Sequence, residues 1–208
     1  MEIVHEKINQ YLEGLYSKED PVLREMERLG RERNFPIVGP QVGHVLFILT
    51  KLLKAQRIFE MGSGFGYSAY WFAKALPAKG KVYQTEGSSE NSKLSQEFFK
   101  RGGLQKKSEF LVGDGVKLIR ETGGEFDIIF IDIDKENYPA AYREAKYHLA
   151  KGGLLLADNL LWFGKVLEKN QDPETLGIKE FTRLLFHDPD YFATILPIRD
   201  GVGVGYRL

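Results

Sequence analysis

A chain of 208 residues that is 43% hydrophobic and 28% charged has the size and composition of one compact domain, and it argues against disorder. Its 29 basic and 29 acidic side chains cancel, so no bulk charge advertises nucleic acid or an anionic membrane, which leaves room only for a local basic patch. The absence of cysteine rules out disulfides, zinc–thiolate sites and thiol nucleophiles.

No apolar run approaches the ~18 residues that cross a bilayer. The opening MEIVHEKINQ lacks the apolar core of a signal peptide, and the expectation is a cytoplasmic protein with no membrane partner. Residues 1 to 34 read as two short polar helices, broken near Ser17 to Pro21, with Ile3, Ile8, Leu12 and Leu15 and then Leu23, Met26 and Leu29 at helical spacing. The Pro- and Gly-punctuated FPIVGPQ follows, and then a helix from about Gln41 to Lys54. From Arg57 the rhythm changes. RIFEMG, KVYQTE, SEFLVGD, FDIIFIDID and GLLLADN read as strands. SAYWFAKAL, NSKLSQEFFKRGG, GVKLIRETGG and NYPAAYREAKYHLAKGG read as the helices between them. This alternation predicts right-handed βαβ units and a parallel sheet covered on both faces. A helix is expected around Glu174 to Phe186. After it, YFATILPI and GVGVGYRL stand so close together that only an antiparallel hairpin can join them. The whole is read as a single domain, with a helical cap over 1–54 and an α/β core over 55–208.

The turn Glu60-Met61-Gly62-Ser63-Gly64-Phe65-Gly66-Tyr67-Ser68 joins the first strand of the core to its first helix. Glycines there let the backbone approach a ligand, and the helix start offers free N–H groups. Glu86 closes the second strand, where an acidic side chain holds ribose hydroxyls in nucleotide-binding α/β folds. A glycine turn alone also serves tight strand-to-helix packing, but together with Glu86 it favours a nucleoside ligand. Three features favour S-adenosylmethionine (SAM) over a dinucleotide: there is no room for a second catalytic domain, there is no GxxxxGK[ST], and Glu60 suits a cationic amino-acid end better than a pyrophosphate.

Asp132 ends the fourth strand and Asp158-Asn159 end the fifth, so three oxygen-bearing side chains converge where α/β sheets bind ligands, with Lys135 one short loop away. Two carboxylates and an amide are hard ligands that suit Mg²⁺, Mn²⁺ or Ca²⁺. Each acid alone is accounted for as a helix N-cap; three such groups at adjacent strand ends are not. Trp162 and Phe163 follow, as an aromatic wall or as simple packing.

The strings EMGSGFGYS, FIDIDKENY and ADNLLW, in this order, resemble the cation-dependent O-methyltransferases, which include catechol and caffeoyl-CoA O-methyltransferases and their bacterial relatives. The resemblance runs from about Phe35 to the end. It implies a Rossmann-like class I SAM-methyltransferase fold: a mostly parallel seven-stranded sheet with an antiparallel C-terminal hairpin, helices on both faces and extra N-terminal helices. It implies that Asp132, Asp158 and Asn159 hold the metal, with Asp132 also serving catalysis, and that Lys135 acts as base or orients the nucleophilic oxygen. Val38, Glu60, Gly62, Ser63, Gly64, Tyr67, Ser68, Glu86, Gly113, Asp114 and Asp132 would line the SAM site, with Asp114 near the adenine and Val38 on the loop that covers it. A homodimer is likewise implied.

The activity expected is methyl transfer to a hydroxyl of a catechol-like aromatic small molecule. Two alternatives stand beside it: methylation of 5-hydroxyuridine at a tRNA wobble position, which zero net charge disfavours, and a SAM-binding module without catalysis, which the intact Asp132, Lys135, Asp158 and Asn159 disfavour. Arg199, ahead of Asp200-Gly201, carries no assigned role.

Overall fold

A computed structural model describes residues 3–16, 20–169 and 172–208. The expected break at Ser17 to Pro21 falls partly outside these.

The first three helices are α1 (Glu6–Leu15), α2 (Pro21–Glu32) and α3 (Gly39–Leu53). Asp20 caps α2, accepting from the N–H groups of Val22 and Leu23, and Pro21 begins the helix where a missing N–H costs nothing. The α/β part then runs β1 (Arg57–Met61), α4 (Tyr67–Ala75), β2 (Lys81–Glu86), α5 (Ser89–Arg101), β3 (Ser108–Val112), α6 (Gly115–Thr122), β4 (Phe126–Ile131), α7 (Tyr138–His148), β5 (Leu149–Ala157), α8 (Pro173–His187), β6 (Tyr191–Leu196) and β7 (Val202–Arg207). The strands form one seven-stranded sheet in the order β3-β2-β1-β4-β5-β7-β6. Pairing is parallel from β3 through β5, while β7 lies antiparallel to both β5 and β6.

Successive residues of each strand face opposite sides of a sheet, and β1 shows what this does. Ile58 enters a core with Val42 and Leu46 of α3 and Phe72 of α4; Phe59 and Met61 enter a second core with Ile119, Tyr138 and Phe181 from α6, α7 and α8. The order reverses between β1 and β4, so crossovers leave in opposite directions and a crevice opens above the carboxyl ends of these strands.

One boundary differs from the sequence reading. The sequence pattern carries LAKGG on as the end of a helix, but the chain turns extended at Leu149, and β5 begins there, paired with Phe126. The register then jumps, with Ile128 opposite Leu154, and Gly152 at φ +77° absorbs the extra residues as a bulge. Among the described residues no helix is long and apolar enough to cross a membrane.

Candidate functional site

The hydrogen-bond ladder of the sheet continues one step past the ends of β1, β4 and β5. The Asp132 N–H donates to Met61 O at 2.9 Å, and the Asp158 N–H donates to Ile131 O at 3.1 Å. This extension sets Asp132 between the glycine turn and Asp158. Gly62 is at φ +84°, and a Cβ on it would stand 2.1 Å from the Asp132 carbonyl oxygen, so the close approach requires glycine. Gly66, at φ +87°, leads into α4. The Ser63 N–H is tied to Thr85 O at 2.8 Å, which joins the turn to β2.

Above these strand ends lies a cavity of about 960 Å³. Of the residues singled out from the sequence, Val38, Gly62, Ser63, Gly64, Tyr67, Ser68, Glu86, Asp132, Lys135, Asp158 and Asn159 line it. Glu60, Gly113 and Asp114 do not. Glu60 lies fully buried behind the turn, bonded by the Ser63 hydroxyl. Burial pushes its carboxyl from an ordinary 4.5 up to about 7, against the pull of the Ser63 and Ser68 hydroxyls and with the repulsion of Asp132 and Glu86. Gly113 binds the end of β2 through Glu86 O at 2.9 Å, and Asp114 caps α6 by accepting from the Val116 N–H at 2.9 Å. Glu86 accepts from the Ser88 N–H at 2.9 Å and the Asn91 amide at 3.4 Å. The Tyr67 hydroxyl donates to Glu27 at 2.8 Å, and burial raises its pKa well above the ordinary 10.0.

Lys135 is buried at the opening of a short 3-10 turn, and its ammonium makes three hydrogen bonds: to Asp132 Oδ1 at 2.9 Å, Ile133 O at 3.1 Å and the Tyr138 hydroxyl at 3.0 Å. Those are all the protons an ammonium has. Asp158 is 5% exposed, and its carboxyl is pushed up to about 7, first by burial and then by the charge of Asp132; Arg199 and Lys135 pull it down. Asn159 lines the same cavity, and its amide carbonyl oxygen is a neutral donor of the kind a hard cation accepts. Among the described residues no three His, Cys, Asp or Glu side chains are grouped to hold a metal, so a cation here needs that amide oxygen as the third ligand. Two carboxylates, one of them buried and repelled by the other, plus an amide oxygen form a donor set that fits a hard divalent cation.

Several lining residues were missed or left without a role. Phe35 lies against the glycine turn, its ring 5.1 Å from that of Phe65 and 2.7 Å from where a Cβ on Gly64 would be. Asp200 accepts from the Phe163 N–H and so holds a turn in which Trp162 (φ +44°), Phe163 (φ +54°) and Gly164 (φ +81°) are all left-handed. Trp162 also lies under the Lys135 ammonium, 6.0 Å from ring centre to Nζ. The one available signal was the Arg-Asp-Gly link between the last two strands.

A family model described as O-methyltransferase matches residues 14–208. The chain belongs to the O-methyltransferase family. It is 32% identical to a catechol O-methyltransferase of Niastella koreensis, over 93% of this chain and 90% of that one, and 30% identical to caffeoyl-CoA O-methyltransferase 2 of Populus trichocarpa, over 94% and 85%. The crystal structure of an O-methyltransferase from Bacillus cereus in complex with SAH, 28% identical, superposes with a TM-score of 0.89 over 97% of both chains. The enzyme is therefore a SAM-dependent O-methyltransferase with the class I fold. Its cavity sits over the sheet's crevice, between β1 and β4.

Proposed function

We propose that the enzyme transfers the methyl group of SAM to a hydroxyl of a catechol-like aromatic small molecule, with a divalent cation held by Asp132, Asp158 and Asn159. The observation that carries this reading is the meeting, in one cavity, of the Gly62–Ser68 turn and Glu86 with Asp132, Lys135, Asp158 and Asn159. SAM lies along the turn, with Glu86 toward its ribose and Val38 over it; the SAH complex of the Bacillus cereus relative supports a nucleoside in this fold.

A divalent cation held by these residues would lower the pKa of a catechol hydroxyl, ordinarily near ~10 as in tyrosine, and would orient it. The chain's own residues do the rest. Asp132 and Asp158 balance the cation's charge, and Lys135 fixes Asp132. With all three protons already engaged, Lys135 serves as a fixed positive charge beside the acceptor oxygen rather than as the base that deprotonates it. Phe35, Val38 and Phe65 keep water from the reacting atoms. The acceptor hydroxyl gives its proton to solvent as it binds; the C–O bond then forms as the C–S bond breaks in line, and the donor leaves as the neutral thioether, so positioning and charge suffice without a covalent intermediate.

Trp162 and Phe163 supply a wall for a planar ring. The tRNA alternative loses ground here, because Glu6, Glu13, Glu86, Asp134 and Glu174 line the cavity and a polyanion would meet them. Exposed Tyr11 and Leu15 on α1 and Ile48 and Leu52 on α3 support a homodimer through these helices. The test is transfer from methyl-labelled SAM to a panel of catechols, with Asp158→Ala beside the parent. Labelled methyl ether formed by the parent and abolished in the variant is expected; equal turnover by both would overturn the metal-assisted reading.

A further inference from the structure

Arg199 lies in the link between β6 and β7 at φ +49°, a conformation that strains an L-residue and that glycine adopts freely. Its side chain reaches 162 positions back along the sequence, and Nη1 donates to the Ile37 carbonyl at 2.5 Å. The same nitrogen lies 3.1 Å from where a Cβ on Gly39 would stand, and Gly39 is itself left-handed at φ +72°. The guanidinium therefore packs against the Ile37–Gly39 backbone. That backbone is cavity wall: Pro36, Ile37 and Val38 line it, as Arg199 does, and the preceding Phe35 packs on the glycine turn. Asp158 and Asp200 line the same cavity as the guanidinium.

A trans peptide is planar, so fixing the Ile37 carbonyl also fixes the Val38 N–H on its opposite edge. Val38 is the residue before α3, where no intrahelical acceptor exists for that N–H. A donor in this position is useful only if its direction is held. The left-handed backbone at Arg199 is what places one side chain between the loop and the acceptor end of the cavity.

We propose that Arg199 is a positioning residue for the methyl donor, a strut that holds the Phe35–Val38 loop closed over the glycine turn. This rests on the proposed placement of SAM along that turn. With the strut removed, the loop opens and the donor is held less tightly, while the chemistry at Asp132 and Asp158 changes less.

The test is the dissociation constant of SAH by calorimetry, the thermal midpoint of the ligand-free protein, and KM for SAM against kcat, for the parent, Arg199→Gly, Arg199→Ala and Arg199→Lys. Arg199→Gly relieves the backbone strain, so its ligand-free midpoint should match or exceed the parent's. Its SAH constant and its KM for SAM should nevertheless rise about tenfold, with kcat within about threefold. Arg199→Ala should weaken SAH at least as much, and Arg199→Lys, which keeps one charged donor, should fall between. A folded Arg199→Gly that binds SAH as the parent does would overturn the proposal and leave the assigned function intact. A parent that binds no SAH would overturn the placement of the donor, and the strut with it.

Discussion

Lys135 Nζ lies 2.9 Å from Asp132 Oδ1, and the two side chains leave the end of β4 three residues apart. The spacing follows from the chain's path: β4 ends at Ile131, Asp132 takes one more ladder bond, and the 3-10 turn that starts at Lys135 folds that side chain back over the strand end. The pair is mostly buried, so its charge is poorly screened and its geometry is well defined.

Under the proposed mechanism, replacing Lys135 by Met removes a fixed positive charge beside the acceptor oxygen. We expect kcat to fall about 10²- to 10⁴-fold, the usual range for a positioned acid–base or charge-stabilising group, with SAH affinity within a few-fold of the parent. Arg at this position should not restore activity, because a planar guanidinium does not reproduce the three-acceptor cage. Steady-state kinetics beside SAH calorimetry checks both statements.

Tyr138 connects this pair to the next strand. Its buried hydroxyl accepts from Lys135 and donates toward the Asp158 carbonyl at 3.0 Å, with Ile131 O at 3.3 Å. Tyr138→Phe takes a partner from the Lys135 ammonium and from the Asp158 carbonyl away from water, while Ile131 O keeps the Asp158 N–H, and should cost ~1–3 kcal/mol in urea denaturation. Activity should drop as well, because Lys135 loses one of its three anchors.

Gly62→Ala should be among the most damaging single-methyl changes in the chain. The added Cβ meets the Asp132 carbonyl at 2.1 Å on a backbone at φ +84°, and the neighbouring atom is main chain, which cannot swing aside. A loss of about 3 kcal/mol or more in stability is expected, with SAH binding weakened in whatever folds. Thermal denaturation with and without SAH reads both.

The buried Glu60 makes stability depend on pH. Its folded pKa, about 7, lies above its unfolded value, so between pH ~4.5 and ~7 the folded state binds more protons than the unfolded one. Stability contributed by this group is fully present below that window and is lost as pH rises through 7. Glu60→Gln removes the titration, and its stability relative to the parent should improve by roughly 2–3 kcal/mol between pH 5 and pH 8. Urea melts of both proteins at the two pH values test this. A difference that stays constant with pH would show that Glu60 titrates normally.

What could be seen in the sequence was whatever follows from local chain physics. The glycine turn, the apolar strands and the acids at their ends are short patterns that gain meaning in combination, and the structure brings Gly62, Glu86, Asp132, Lys135, Asp158 and Asn159 to one cavity. What escaped depends on contacts between distant segments. Arg199 meets Ile37 only after the sheet has folded, and nothing in Ile-Arg-Asp-Gly announces that partner. The depth of Glu60, fully buried and bonded by the Ser63 hydroxyl, is likewise set by the packed sheet and turn rather than by any local pattern. The early start of β5 was hidden because Leu149 to Gly153 continues the helical composition of α7, and only pairing with Phe126 draws it into the sheet.

The central claim is that a divalent cation at Asp132, Asp158 and Asn159 activates the acceptor while SAM lies on the glycine turn. The most direct measurement is methyl transfer from SAM to a catechol by the metal-stripped enzyme, before and after adding Mg²⁺, beside SAH calorimetry under both conditions. We predict that stripping lowers turnover at least ~100-fold, that Mg²⁺ restores it, and that SAH still binds the stripped protein. Full turnover in the presence of excess EDTA would contradict the account.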